Sequence, residues 1–506
     1  MAVLLGIDIS TTGAKALLVN EQGAVLASAT EEYPLHTPKP LWSEQNPEDW
    51  WQGCQRAIRR SLASAGVTGA DIAGIGLTGQ MHGMVLLDGA GQVLRPAILW
   101  NDQRTGPQCA EITGWAGGLE RTVALTGNAV LPGFTAPKIV WVRQNEPEVY
   151  DRIAHVLLPK DYIRYRLTGE FATEVSDASG TALFDVGNRR WSATMAGLLQ
   201  IPLGWLPHCA ESEEVTAAIS VAAAQATDLR AGTPVVGGGG DQAAQAVGSG
   251  IVRPGIISVT SGTSGVVFAH ADQYAAEPQG RLHVFCHAVR GAWHAMGVML
   301  AAGGALRWFR DALGQPERAV AALTAEDPYD LLTREAARVP TGAEGLLFLP
   351  YLTGERCPHP DPLARGAFVG LTLRHGKGHM VRAVLEGVSF GLRDSLELIK
   401  GLGVPIEQVR ASGGGAVSPL WRQIQADVFG AELVLINVTE GAAFGAALLA
   451  GVGAGAYRSV HEAVDAAVRV VDRTAPQPGV AAEYERLYPV YRGLYPALKP
   501  TFDALA

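Results

Sequence analysis

Asp241 closes the run Pro234-Val-Val-Gly-Gly-Gly-Gly-Asp, a buried-type strand that ends in four glycines and a carboxylate. A carboxylate there can take the proton of an attacking hydroxyl. Phosphoryl transfer needs mainly positioning and charge neutralisation, so a weak base suffices. The glycines before it would let a ligand approach the backbone. Asp241 also suits the N-cap of a helix that starts near Gln242, a role compatible with the first. Two turns add further chemistry. In Asp8-Ile-Ser-Thr-Thr-Gly13, glycine and hydroxyl residues leave backbone N–H groups free to face phosphates. Asp8 at the strand end can hold Mg²⁺ through water, and Thr11 and Thr12 lie in the turn itself. The turn Ser261 to Gly265, with Gly262, Thr263 and Ser264, offers the same groups without a carboxylate. Each turn alone also reads as an ordinary hairpin; facing each other, the pair could clamp the β- and γ-phosphates of a nucleotide.

Weaker signals surround these. Ser412-Gly-Gly-Gly415 is a glycine-rich strand-to-helix junction that could admit a flat or anionic ligand, or serve close helix packing. The small-residue helix start at Ala301 to Trp308, with Gly303 and Gly304, carries the same two readings. Gly79-Gln-Met-His-Gly83 could present Gln80 and His82 to a polyol, although a lone histidine is more often structural. There is no Ser-His-Asp order and no HExxH. A Walker GxxxxGK[ST] motif is also absent, which excludes the commonest nucleotide loop.

The positioning elements follow from periodicity. Val3 to Ile9, Ala14 to Asn20 and Ala24 to Ala29 read as a β-meander. Asn46 as N-cap, Pro47 in the first turn, and Glu48 and Asp49 predict a helix to about Ala65. Ile256 to Val259 and Val266 to Ala269 repeat the strand–turn–strand opening half a chain later, so an internal duplication is expected. The boundary falls near Gly248 to Pro254, giving domains 1–248 and 249–506. Gly441 to Tyr457 is charge-free, rich in Gly and Ala, and just short of spanning length; a tightly packed helix explains it better than a membrane span. The net charge of −9 and the lack of a basic block argue against a nucleic-acid partner. Five dispersed cysteines argue against a disulfide framework or zinc site and point to a reducing, cytoplasmic setting.

Two longer patterns decide the class. Gly133-Phe-Thr-Ala-Pro-Lys138-Ile-Val-Trp-Val-Arg-Gln-Asn145 and Gly366-Ala-Phe-Val-Gly-Leu371 with His379 to Glu386 resemble the two signatures of the FGGY carbohydrate kinases, in the actin-like ATPase superfamily. The resemblance covers nearly the whole chain. Leu41 to Gln45, Gly79 to Gly83, Trp100-Asn-Asp102-Gln-Arg104, Leu158 to Asp161 and Phe348 to Arg356 resemble the xylulose-phosphorylating branch. It implies an α/β fold of two actin-like, ribonuclease-H-type domains with a deep cleft, using ATP and Mg²⁺. It implies Asp241 as base, Met81 and His82 on the sugar, with Gln80, Asp102 and Gln242 beside them. Asp8, Thr11 and Thr12 would face Mg²⁺ and phosphate; Gly262, Thr263 and Ser264 the phosphates; Gly303, Gly304, Gly414 and Gly415 the nucleotide. Lys138 belongs to the signature without an assigned role. Ser10 replaces the family's usual glycine, and Gln242 a frequent asparagine, which leaves room for another acceptor such as ribulose, a pentitol, glycerol or gluconate. An actin-like ATPase without a sugar substrate is the remote alternative. No membrane association is expected, and a homodimer is left open.

Overall fold

A computed structural model describes residues 2–506. The Val3–Ile9 strand pairs antiparallel with Gly13–Asn20, which pairs with Val25–Glu32. On its other side Val3–Ile9 runs parallel to Ile72–Gly79. Pro234–Val236 extends the sheet in parallel, and Val215–Ala218 closes its edge antiparallel. The short Gly239–Gly240 strand joins Ile72–Gly79 further along.

The second sheet repeats this order. Gly255–Ser261 and Gly265–Ala271 form the hairpin, Trp293–Met299 follows it, and Gly255–Ser261 lies parallel to Ile406–Ser412. Glu432–Ile436 continues in parallel, and Val470–Thr474 closes antiparallel. Even the irregularity recurs: the register slips between Val3 and Leu4 in one sheet and between Gly255 and Ile256 in the other. The expected duplication is therefore visible in topology. His283–Cys286 is an extra edge strand of the second sheet.

The Pro47–Ala65 helix begins as its sequence dictates, with the Asn46 side chain accepting from the Glu48 N–H. The Ala442–Gly453 helix, late in the chain, lies against the first sheet. A Cβ on Gly6 would sit 1.9 Å from the Ala443 carbonyl oxygen, one on Gly76 2.0 Å from that of Ala446, and one on Gly445 1.8 Å from that of Ala244. Glycines on both sides thus let a helix rest on bare backbone, which explains the long small-residue run. Among the described residues, no helix is long and apolar enough to cross a membrane. All five cysteines are unpaired.

A further core, around Met84, Ile98, Phe134, Ile139, Leu183 and Met195, takes in Phe285 from the second half of the chain. The halves are also joined by the Lys15–Glu440 ion pair and by the Tyr457 hydroxyl, which donates to the Glu21 carbonyl at 2.7 Å.

Candidate active site

Asp8 lies one residue before the end of the Val3–Ile9 strand, beside Thr78 on one neighbour and Lys15 on the other. Lys15 turns to Glu440, and Asp8 Oδ1 is buried without a hydrogen-bond partner. Burial raises the Asp8 carboxyl to about 6, with Lys15 opposing. Asp241 is the first residue of the Asp241–Gly248 helix, and Gly240, not Asp241, occupies the N-cap. Burial, then the negative charge of Asp8, pushes the Asp241 carboxyl up to about 7, while the Gln242 N–H and side chain pull it back. Gly239 pairs with Thr78 as Asp8 does from the opposite side, so both carboxylates flank the end of Ile72–Gly79. Ligand sites in open α/β sheets form at such strand ends.

Three of the four glycines before Asp241 are filled by the protein's own atoms, where the sequence suggested room for a ligand. Gly238 has φ +80°, and a Cβ there would lie 2.0 Å from the Leu77 carbonyl. Those on Gly237 and Gly240 would meet the Glu211 carbonyl at 2.5 Å and the Met81 side chain at 2.9 Å. The run lets a strand, a loop and a side chain converge on the start of one helix.

Met81 is buried against Gly240, which places the Gly79-to-Gly83 loop beside Asp241. His82 adopts a left-handed backbone (φ 68°), donates from Nδ1 to the Gly180 carbonyl at 2.7 Å and stacks on Phe134. Burial lowers its pKa to about 3, so at neutral pH it is uncharged with Nε2 as acceptor. Lys138 now has a role: its ammonium donates to the carbonyls of His82 (2.8 Å) and Gly133 (2.7 Å), pinning the loop. Burial brings Lys138 down to about 7.

Gln80 faces inward. It accepts from the Thr11 hydroxyl at 3.2 Å and donates to Gln45 at 3.0 Å. Trp100, 46% exposed, donates its indole N–H to Thr11 Oγ1 at 2.9 Å. Gln80 and Thr11 therefore brace the turn together. Asp102 is a second correction. It is fully buried, and its oxygens accept from the Ser43 N–H (2.6 Å) and from the Arg104 guanidinium (2.7–3.0 Å). It holds the 100–104 loop and has no oxygen to offer a sugar. Arg356, which sequence reasoning passed over, lowers the pKa of both His82 and His283. It forms no ion pair among the described residues, and burial brings it down to about 10.

In the Asp8-to-Gly13 turn, Ser10 has no positive φ. Its hydroxyl accepts from the N–H groups of Thr12 (3.3 Å) and Gly13 (3.2 Å), so it stiffens the turn that glycine would leave loose. Thr12, Thr263 and Ser264 are exposed at the two turns. A cavity of about 340 Å³ opens beside the second turn, lined by Gly262, Thr263, Gly303, Gly414 and Gly415. Its far wall brings in Leu306, Asp327, Tyr329 and Trp421, which no local motif announced. Gly304 is not on the lining: its N–H donates to the Thr263 carbonyl at 3.0 Å, and a Cβ would lie 2.8 Å from that oxygen. It supports the turn. Gly414, by contrast, has open space where a side chain would be.

Residues 3–248 match the N-terminal domain of the FGGY family of carbohydrate kinases, and residues 257–454 match its C-terminal domain. The chain is 41% identical to a xylulose kinase of Escherichia coli over 98% of this chain and 99% of that protein. It is 38% identical to a xylulose kinase of Bacillus subtilis over 100% and 99% of the respective lengths. Among solved structures it resembles a xylulose kinase from Rhodospirillum rubrum, with a TM-score of 0.92 and 34% identity over 99% of this chain and 100% of that one.

Proposed function

The chain belongs to the FGGY family of carbohydrate kinases, and from that premise we propose that it transfers the γ-phosphoryl group of ATP to the C5 hydroxyl of D-xylulose, giving D-xylulose 5-phosphate and ADP. Asp241 takes the hydroxyl proton as the oxygen attacks phosphorus. The observation that carries this reading is the Asp241 carboxylate: it follows Gly240, which packs against Met81, it feels the negative charge of Asp8, and burial leaves it able to accept a proton near neutrality. A base of this kind contributes typically 10²–10⁴-fold. An uncharged His82 suits a neutral ketose, because it offers an acceptor to a hydroxyl without attracting anions.

The lobes are residues 1–248 and 249–506, with the sugar in the first and the nucleoside in the cavity of the second. The Asp8-to-Gly13 and Ser261-to-Gly265 turns hold the phosphates between them. The orphaned, buried Oδ1 of Asp8 fits a divalent cation, and Asp8 would hold Mg²⁺. When bound, the ion neutralises phosphate charge. The five unpaired thiols suit a reducing compartment, so we place the reaction in the cytoplasm.

The test is a coupled ADP assay over D-xylulose, D-ribulose, pentitols, glycerol and gluconate, with Asp241→Asn alongside. D-Xylulose should give the highest kcat/KM, and the variant should lose at least about 100-fold in kcat. A clear preference for another acceptor overturns the substrate. A variant retaining a tenth of kcat overturns the base.

A further inference from the structure

The segment from Glu174 to Thr181 is wholly buried, yet the proposed chemistry leaves it unused. It comprises the Val175–Ala178 turn of helix and the Ser179–Thr181 3₁₀ turn. Its polar groups reach three separate places. Ser176 Oγ accepts from the Gly240 N–H at 3.0 Å, one residue before Asp241. The Gly180 carbonyl accepts from His82 Nδ1 at 2.7 Å. Ser179 Oγ accepts from the Cys286 N–H at 3.0 Å, on the edge strand of the second sheet, while donating to the Val175 carbonyl at 2.6 Å. One short rigid piece thus touches the base junction, the sugar loop and the other lobe.

The segment is held tightly at its start. Glu174 accepts from the N–H groups of Ser176 (2.6 Å) and Asp177 (2.8 Å) and from the Ser212 hydroxyl (3.1 Å). The ammonium of Lys160 lies 2.6 Å from Asp161, 3.2 Å from Asp177 and 3.5 Å from Glu174, all buried. Three carboxylates around one buried ammonium are costly to build, because burying ions is penalised unless geometry is well satisfied. Contact with His82 is equally close, since a Cβ on Gly180 would lie 2.4 Å from its imidazole. Packed elements of this kind shift between discrete arrangements and do not deform smoothly.

We propose that residues 174–181 couple the second lobe to the catalytic base, with Ser176 and Ser179 as positioning residues. Ser176 fixes the Gly240–Asp241 junction, and Ser179 makes that setting depend on where the second sheet stands. This rests on Asp241 being the base.

The test compares Ser176→Ala, Ser179→Ala, the double variant and Ser176→Thr in the coupled assay, with thermal midpoints recorded for each. Both alanine variants should lose about tenfold or more in kcat, as small misplacements near reacting atoms do, with the KM for ATP within about twofold. The double variant should lose less than the product of the single losses, the mark of a shared pathway. Ser176→Thr, which keeps the acceptor, should recover most of kcat. Unchanged kcat in either alanine variant, fully multiplicative losses, or failure of threonine to rescue overturns the inference. If Ser176→Ala does not fold, Ser179→Ala decides with the KM for D-xylulose as the second readout: a lowered kcat at unchanged KM supports the coupling, whereas an unchanged kcat, or a loss accompanied by a raised KM as expected from disturbing the neighbouring Gly180–His82 contact, overturns it. Asp241→Asn, run in parallel, separates the two readings. An active Asp241→Asn sinks the base assignment, whereas an inactive one beside wild-type-like serine variants sinks only the coupling.

Discussion

Asp241→Asn should make the ligand-free protein more stable while abolishing its activity. The carboxyl titrates at about 7 in the folded chain against an ordinary 3.8. A gap of about three units is worth ~4 kcal/mol at about 1.4 kcal/mol per unit. That figure is a ceiling; solvent reaching a partly exposed cleft carboxylate reduces the effect to ~2 kcal/mol. A group whose folded pKa is raised contributes stability that is complete below its unfolded value and lost as pH rises through its folded value. The loss therefore falls between 3.8 and about 7, and asparagine does not undergo it. Without nucleotide or divalent metal at pH 8, the variant should melt about 4 °C higher if the affected unit is a lobe of roughly 250 residues. Below about pH 4 the two proteins should melt together. The assay is differential scanning calorimetry or fluorescence-monitored melting across that range. A variant less stable than the parent at pH 8, or a difference independent of pH, refutes the claim that the site holds a strained charge.

Three other outcomes follow from the geometry. Because Asp241 must be ionised to accept a proton and titrates at about 7, kcat/KM should fall on the acid side with a midpoint near 7; a limb near 4 would detach the base from its environment. Gly414→Val should raise the KM for ATP at least tenfold and leave the KM for D-xylulose alone, since Gly414 lines the cavity and a Cβ there meets only open space; isothermal titration with a non-hydrolysable nucleotide checks this. Gly445→Ala should destabilise by at least about 2 kcal/mol through overpacking, because its Cβ would lie 1.8 Å from the Ala244 carbonyl; urea melts measure it, and a neutral result means the helix is not seated on bare backbone.

Local chemistry was legible in the chain. Strand–turn–strand repeats read true because alternating apolar runs and turn residues act over a few positions. The Asn46 cap and Pro47 fix a helix start without help from elsewhere. Asp8 and Asp241 stood out because carboxylates at strand ends beside glycine turns are unusual, and the structure does place them on two sides of one strand end. What glycines are for was not legible. A run of four before Asp241 looks the same whether a ligand or a carbonyl fills the missing side chains, and here carbonyls and Met81 do.

Partners distant in sequence made the remaining decisions. Asp102 is a polar residue in a sugar-like motif until Arg104 and Ser43 use up its oxygens. Lys138 has no role until the fold brings it to the His82 carbonyl. Arg356 reaches His82 from the other half of the chain, and Tyr329 reaches its cavity from more than sixty residues beyond the Ser261-to-Gly265 turn. The amino-acid order determined the elements, their repetition and the acids at their tips, because backbone propensity and side-chain period are local. Only the packed molecule determined which carboxylate stays free and which is consumed, because burial and hydrogen bonding depend on neighbours that the chain supplies from far away.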